Sequence, residues 1–158
     1  MKTFYGLLSL AHLDELATTV CDCLGYGSNG NAVDLLTETA GAETIKGTMI
    51  DPTIYAGMGL TQFDKLPFQD VKDRCREQDK EKIKKSFDID IDLVEWEHLR
   101  YNPLLALIFT RLKYKKVPQA IPLTLEDRAK YWKVHYNSSA GQGTVEHYIR
   151  SNDEKIES

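Results

Sequence analysis

Apolar residues recur at helical spacing through most of the chain, and this pattern predicts a mainly α-helical fold. The first apolar stripe comprises Leu7, Leu10, Ala11, Leu13 and Leu16. It predicts an amphipathic helix that ends near Leu24, before a turn over residues 25–30 that is rich in glycine and asparagine. A second helix is expected from an N-cap at Asn31 to about Gly41 or slightly beyond. No strong alternating pattern is found, so little or no β-structure is expected.

The most apolar segment lies in the second half of the chain. Residues 67–87 are highly charged with only a thin apolar stripe, which predicts a solvated surface helix. Asn102-Pro103 marks a boundary, because a residue before proline avoids helical geometry. Behind it, residues 104–112 are apolar on every side. A helix of that kind is a buried one, so this segment is the candidate central helix.

Two shorter helices are expected near the C-terminus. Thr124 is placed to cap one of them, with Asp127 at its third position, and Thr144 to cap a last helix that reaches Arg150. The pattern indicates a single domain over residues 1–150, of which 1–30 form an N-terminal helical region. Residues 151–158 are expected to be a polar tail.

Composition narrows the class of protein. The 158 residues contain 20 Lys+Arg and 24 Asp+Glu, a formal charge of −4, and 42% of them are hydrophobic. These values exclude a wholly disordered chain and a disulfide scaffold. They argue against a general nucleic-acid binder, which needs a basic surface. No apolar run approaches the roughly 20 residues that span a bilayer.

The remaining local patterns predict no export signal, metal or cofactor. The apolar stretch at residues 4–11 could be mistaken for a secretory signal, but acidic residues follow where a small-residue cleavage site belongs, so a helix is expected instead. The three cysteines have no ligand spacing with the histidines. Residues 88–92 begin like a calcium loop, yet Leu93 and Leu99 stand where glycine and glutamate are needed.

Glu38 is the first candidate for chemistry. It lies at the edge of the apolar arc of the second helix, about one turn before the expected end of that helix at Gly41. A carboxyl beside apolar groups has its pKa raised by desolvation and can act as a proton donor. The alternative is a solvent-facing glutamate on a surface helix. Glu43 is the rival acid and is expected to lie beyond the helix end.

A glycine-containing segment, residues 57–64, is the second candidate. Gly57 and Gly59 would allow close backbone approach to a ligand, and Gln62 offers an amide to a polar substrate. Asp64 adds another carboxylate. The segment lacks the later glycine and the Lys-Ser/Thr of phosphate-binding loops.

Three blocks of the sequence, in order, resemble the goose-type lysozymes and soluble lytic transglycosylases of the lysozyme superfamily. Glu38-Thr39-Ala40-Gly41 is similar to the catalytic-glutamate block, and residues 57–64 are similar to the Gly-Leu-Met-Gln motif. The third block, similar to the late Tyr-Asn-Ala-Gly block, consists of Tyr136-Asn137 with Gly141, Gly143 and Thr144. The resemblance covers about residues 31–150. Residues 132–144 also resemble small lysozyme-like proteins of tailed bacteriophages.

This resemblance implies a goose-type lysozyme-like fold and cleavage of peptidoglycan. By position, Glu38 would be the general acid at the β-1,4 bond between N-acetylmuramic acid and N-acetylglucosamine, and Asp64 and Asp51 would activate water in a hydrolase. The implied substrate-binding residues are Gly59, Leu60, Gln62, Tyr136 and Asn137. Tyr136 has a plain alternative, a core tyrosine on an amphipathic helix.

Departures from the family pattern leave alternatives open. Thr61 stands where methionine is usual, and Ser138-Ser139 where alanine and glycine are usual, which bears on sugar selectivity. A lytic transglycosylase would form 1,6-anhydro ends without a second catalytic carboxylate. A non-catalytic virion or wall-binding protein could keep the same fold.

The resemblance also implies a setting for the protein. Its partners would be peptidoglycan and other phage tail or virion proteins. It would act either in the phage virion or in the host cytoplasm, from which it would be released to the periplasm at lysis. The basic run at residues 111–116 is expected to be a solvated helix end, with attraction to the anionic cell wall as the functional option.

Overall fold

The computed structural model describes residues 1–50, 57–137 and 143–153, and within these ranges the fold is mainly α-helical. The helices are α1 (Leu10–Leu24), α2 (Ala32–Thr44), α3 (Lys65–Arg74), α4 (Glu77–Phe87), α5 (Pro103–Lys115), α6 (Leu125–Trp132) and α7 (Val145–Ser151). Two 3-10 turns, Ile91–Leu93 and Trp96–Leu99, precede α5, and a π-helical turn, Lys133–Asn137, extends α6. The described ranges contain no β-strand, only an isolated bridge between Met58 and Phe63.

The central helix is α5, as its apolar sequence predicts. Pro103 occupies its first turn, and the Asn102 side chain accepts a hydrogen bond from the Leu105 amide at 3.0 Å, which caps the helix. Almost every side chain of α5 is buried, and α1, α2 and α3 pack around it. Among the described residues, no helix is both long enough and apolar enough to cross a bilayer.

The charged segment at residues 65–87 forms two helices rather than one. Cys75 and Arg76 adopt extended backbone between α3 and α4, which breaks the expected surface helix. The Phe68 ring of α3 stacks on Phe109 of α5 with 4.6 Å between ring centroids. Helix α3 packs on α5 and α4 packs on α1, so the two segments contact different parts of the core.

Helix α2 continues past Gly41 and ends at Thr44, which agrees with the predicted end at about Gly41 or slightly beyond, but the expectation that Glu43 lies beyond the helix end is wrong. The glycine serves close packing, since a Cβ atom on Gly41 would lie 2.1 Å from Oδ1 of Asn152. Ile45, with φ 50°, provides the left-handed residue that ends the helix. Glu43 therefore lies in the last turn of α2 and not beyond it.

The C-terminal caps agree with the sequence. The Thr124 and Thr144 hydroxyls accept hydrogen bonds from the amides of Asp127 and His147, which fixes the starts of α6 and α7. Helix α7 extends one residue past the expected end at Arg150, and Ser151 is buried.

Candidate functional site

Glu38 is bound by a side chain from α6. Arg128 donates from Nε to Glu38 Oε1 at 2.7 Å and from Nη2 to Glu38 Oε2 at 2.8 Å. The Tyr148 hydroxyl donates to Oε1 at 2.9 Å. The two charged side chains are only 14% and 9% exposed, and their hydrogen bonds raise the pKa of Arg128. Bidentate Arg–carboxylate pairs are strong, so Glu38 ties α2 to α6 and α7.

This position differs from the one expected for a proton donor at the mouth of a cleft. Both carboxyl oxygens of Glu38 accept hydrogen bonds from protein groups. The helix also continues for a turn and a half past Glu38, so the residue lies within a packed helix. The sequence alone could not reveal this, because Arg128 is 90 residues away along the chain.

A cavity of about 460 Å³ opens beside the C-terminal turn of α2. Its walls come from the ends of α2 and α6, the π-helical turn and α7, and include Glu43, Trp132, Asn137, Gly143, His147 and Arg150. The indole Nε1 of Trp132 donates to Glu43 Oε2 at 3.0 Å. The cavity thus combines a carboxyl, an aromatic ring and amide, imidazole and guanidinium groups.

The cavity wall formed by the third sequence block is tightly packed. A Cβ atom on Gly143 would lie 2.5 Å from Cη2 of Trp132 and 2.9 Å from Nδ2 of Asn137, so only glycine fits there without displacement. Asn137 Oδ1 accepts a hydrogen bond from Lys133 Nζ at 2.9 Å, which orients the amide. Ser138, Ser139 and Gly141 lie outside the described residues.

Tyr136 is a core residue. Its hydroxyl donates to the Thr61 carbonyl oxygen at 2.6 Å, and its ring stacks against Tyr114 with 5.5 Å between centroids. Burial raises its pKa well above the ordinary value of 10.0, and the negative charge of Glu43 adds to that effect. Tyr136 is therefore neutral and lies near Glu43, but its hydroxyl serves the protein's own backbone.

Lys113 is a partly buried cation within electrostatic range of two candidate carboxylates, Asp64 and Glu43. Its Nζ donates to the Tyr136 carbonyl oxygen at 3.1 Å and lies 4.3 Å from the centroid of the Tyr136 ring. Burial lowers the pKa of Lys113, while the charges of Asp64 and Glu43 act in the opposite direction. Asp64 is exposed at the N-terminus of α3. Both carboxylates are thus close enough to Lys113 to influence its charge.

The glycine-containing block forms an internal turn. Gly59, with φ +79°, packs so closely that a Cβ atom would lie 2.3 Å from the carbonyl oxygen of Leu99. Gln62 is buried, and its Nε2 donates to the Gly59 carbonyl oxygen at 2.9 Å. Leu60 is fully buried, and its carbonyl oxygen accepts from the Thr44 hydroxyl at 2.7 Å. The close backbone approach expected for a ligand is thus made to the protein itself, and the turn supports the end of α2.

The basic run of α5 is engaged within the protein. Arg111 Nε donates to the Gly25 carbonyl oxygen at 2.9 Å, and Lys115 pairs with the buried Asp79 at 2.9 Å. Lys116 pairs with Asp70. These side chains join α5 to its neighbours, so the run is more than the solvated helix end that was expected.

Of the sequence-predicted residues, the structure places Asn137 at the cavity, Tyr136 in the core within electrostatic range of Glu43, and Asp64 exposed at the N-terminus of α3. Gly59, Leu60 and Gln62 form the supporting turn, Glu38 lies in the ion pair, and Asp51 is outside the described residues. Sequence reasoning gave Glu43 second place and missed Trp132, His147 and Arg150 as cavity residues. One signal was present: the Glu-Thr dipeptide of Glu38 recurs at Glu43-Thr44, five residues nearer the glycine block.

No significant match to this chain is found among protein-family models, curated proteins or solved structures.

Proposed function

We propose that the cavity beside α2 cleaves the β-1,4 bond between N-acetylmuramic acid and N-acetylglucosamine in bacterial peptidoglycan, with Glu43 as the general acid. The observation that carries the proposal is the position of Glu43. It lies in the last turn of a rigid helix, at a cavity wall shared with Trp132 and Asn137. Asn137 belongs to the block that resembles the late motif of goose-type lysozymes.

Glu43 lines the cavity, whereas Glu38 does not. A protonated carboxyl can accept a hydrogen bond on one oxygen while it donates its proton from the other. Trp132 supplies such a bond to Oε2 of Glu43 and would hold the carboxyl in place. Arg128 instead engages both oxygens of Glu38, a geometry that suits a charged carboxylate.

Asp64 supports hydrolysis as the reaction. An inverting glycosidase needs a second carboxylate about 6.5–9.5 Å from the acid, so that water fits between them. Asp64 and Glu43 both act electrostatically on Lys113 and on Tyr136, which supports a location of both carboxylates near these two residues. Asp51 stays a prediction for the same role. If neither aspartate takes part, the substrate's own 6-hydroxyl would close an anhydro ring, as in lytic transglycosylases.

The experiment compares wild-type protein, Glu43→Gln and Glu38→Gln on purified bacterial sacculi, with circular dichroism to verify that each variant is folded. We expect wild type to release soluble fragments and Glu43→Gln to be about 10²–10⁴-fold slower, the usual contribution of a general acid. Glu38→Gln should keep most of the activity at a temperature where it is folded.

Product masses separate the two reactions, because 1,6-anhydro ends weigh one water less than reducing ends. Asp64→Asn should abolish hydrolysis if Asp64 is the base and leave a transglycosylase unaffected. An inactive wild type, or equal rates for wild type and Glu43→Gln, would overturn the proposal. The first of these outcomes would favour a non-catalytic wall-binding or virion protein.

A further inference from the structure

A positively charged side chain, that of Arg150, lines the same cavity. Arg150, on α7, lines the cavity together with Glu43, and its side chain is exposed to solvent. Helix α7 is held firmly, because Thr144 caps it and the Tyr148 ring packs on Trp132 with 5.2 Å between centroids. The backbone that carries Arg150 is thus fixed relative to the tryptophan that binds Glu43.

Arg150 differs from the buried arginines because its side chain makes no hydrogen bond or ion pair within the described part of the chain. Arg128 pairs with Glu38, and Arg111 donates to a carbonyl oxygen of the backbone. Glu146 stands one helical turn before Arg150, yet the two form no ion pair within 4.0 Å. In a chain with a formal charge of −4, the guanidinium therefore remains available to an outside anion.

The Asn137 amide at the cavity also favours an acceptor ligand near Arg150. His147 lies at 2.7 Å from the Ala42 carbonyl oxygen through Nε2, so this nitrogen must carry a proton. Asn137 uses its oxygen to accept from Lys133. His147 thus uses its Nε2 proton within the protein, whereas the Asn137 amide NH₂ group remains a donor at the wall. Glu43 is the carboxylate among the described lining residues.

We infer that Arg150 forms an anion subsite that binds a carboxylate of the peptide stem attached to N-acetylmuramic acid. The inference rests on the proposed function and narrows its substrate to glycan strands that carry stems. The planar guanidinium matches a carboxylate with two parallel hydrogen bonds, which a neutral sugar hydroxyl cannot offer. Stem peptides carry free carboxylates and are attached to the N-acetylmuramic acid unit that forms the bond to be cleaved.

Binding tests the subsite separately from catalysis. In the Glu43→Gln background, so that no probe is cleaved, we would titrate the protein with two soluble tetrasaccharides of alternating N-acetylglucosamine and N-acetylmuramic acid. One carries tetrapeptide stems; the other has had them removed by an amidase and its lactyl carboxylates converted to methyl esters, so that it carries no carboxylate. Arg150→Ala should weaken binding of the stem-bearing probe about tenfold or more, since hydrogen bonds to charged groups contribute about 1.5–3 kcal/mol. Binding of the bare probe should be unchanged.

Two further variants sharpen the experiment. Arg150→Lys should recover part of the loss, because it restores the charge without the bidentate geometry. Arg100→Ala removes another exposed arginine, one that lies over the Tyr101 ring and does not line the cavity, and it should change neither affinity.

Equal losses for both probes, or no loss for either, would overturn the subsite. So would a protein that binds neither probe. A stem-dependent effect of Arg150→Ala in a protein whose wild type cleaves nothing would support the subsite and contradict only the proposed catalysis.

Discussion

Glu38 and Arg128 form the most shielded ion pair between the helices that surround the candidate site. Both side chains are mostly buried, and Tyr148 and Asn152 bind the same residue through its side chain and its carbonyl oxygen. Removing one partner of such a pair leaves the other charge without compensation in a poorly solvated place. We therefore assign Glu38 a structural role.

Glu38→Gln should lower the free energy of unfolding by about 3 kcal/mol, because Arg128 would lose its charged partner. Urea denaturation at pH 7 measures this change. Glu77→Gln is the matched control, since it removes a carboxylate that pairs with Lys80 but is 83% exposed. The control should cost at most about 0.5 kcal/mol. A loss no larger than that of the control would contradict the structural role of Glu38.

The sequence alone could identify Glu38 and Glu43 as candidate acids, but it could not show which of them is the better candidate for the proton donor. The apolar arc correctly placed Glu38 at the edge of a buried face. Its ranking depends on Arg128 and Tyr148, which lie 90 and 110 residues away and which no local pattern connects to it. The buried position of Tyr136, in contrast, matches the plain alternative of a core tyrosine.

At the scale of elements, the decisive feature is the continuation of α2 through Gly41. The sequence put the end of the helix at about Gly41 or slightly beyond, and the lack of a side chain at this glycine allows Asn152 at the end of α7 to approach the helix. Glycine marks both helix ends and close contacts, and only the tertiary structure separates the two uses. Local sequence also could not predict that residues 65–87 form two helices, because neither proline nor glycine stands at the break between α3 and α4.

Gly41→Ala tests the contact between α2 and α7. Alanine favours an exposed helix by about 1 kcal/mol over glycine, but here the added methyl group would collide with the Asn152 side chain. We expect a net loss of about 1–3 kcal/mol in the free energy of unfolding, measured by thermal or urea denaturation.

The double-mutant cycle with Asn152→Ala distinguishes collision from other effects. The shorter side chain makes room for the methyl group, so Gly41→Ala should cost much less, or stabilise, in that background. Equal costs in both backgrounds would mean that the two helices do not meet at Gly41 as described.

At the scale of the whole molecule, α5 and a set of buried hydroxyls and thiols hold the domain together. The mainly helical class could be predicted from the spacing of apolar residues. The buried central helix could be predicted because a helix that is apolar on every side is stable only inside the protein. The partners of α5 could not, since they depend on how distant helices meet. Thr39, for example, lies 2.9 Å from the Tyr114 hydroxyl across 75 residues of chain.

Buried titratable groups predict a loss of stability at high pH. Burial raises the pKa of Tyr114, Tyr136 and Tyr148 well above 10.0, and that of Cys21 from 9.0 to about 11. The unfolded chain releases these protons first, so stability is full below about pH 9 and falls as the pH rises further. Lys113 acts in the opposite direction, because burial lowers its pKa. Each group changes the free energy of unfolding by up to about 1.4 kcal/mol per pH unit.

Urea denaturation from pH 8 to 11 measures this dependence. Above pH 10, Tyr114→Phe should make the fall in the free energy of unfolding less steep by up to about 1.4 kcal/mol per pH unit, the contribution of one group. Tyr101→Phe, at an exposed site, should leave the steepness unchanged. A decline of the same steepness in wild type and Tyr114→Phe would contradict the account of the buried hydroxyls.

The central claim is that the carboxyl at the end of α2 donates the proton and the one in the ion pair does not. Its most direct test is the ratio of the initial cleavage rates of Glu43→Gln and Glu38→Gln on the same sacculi, with both variants verified as folded. We predict that Glu43→Gln is slower than Glu38→Gln by at least about 10²-fold. A ratio near one, or a folded Glu38→Gln that is the slower of the two, would contradict the claim.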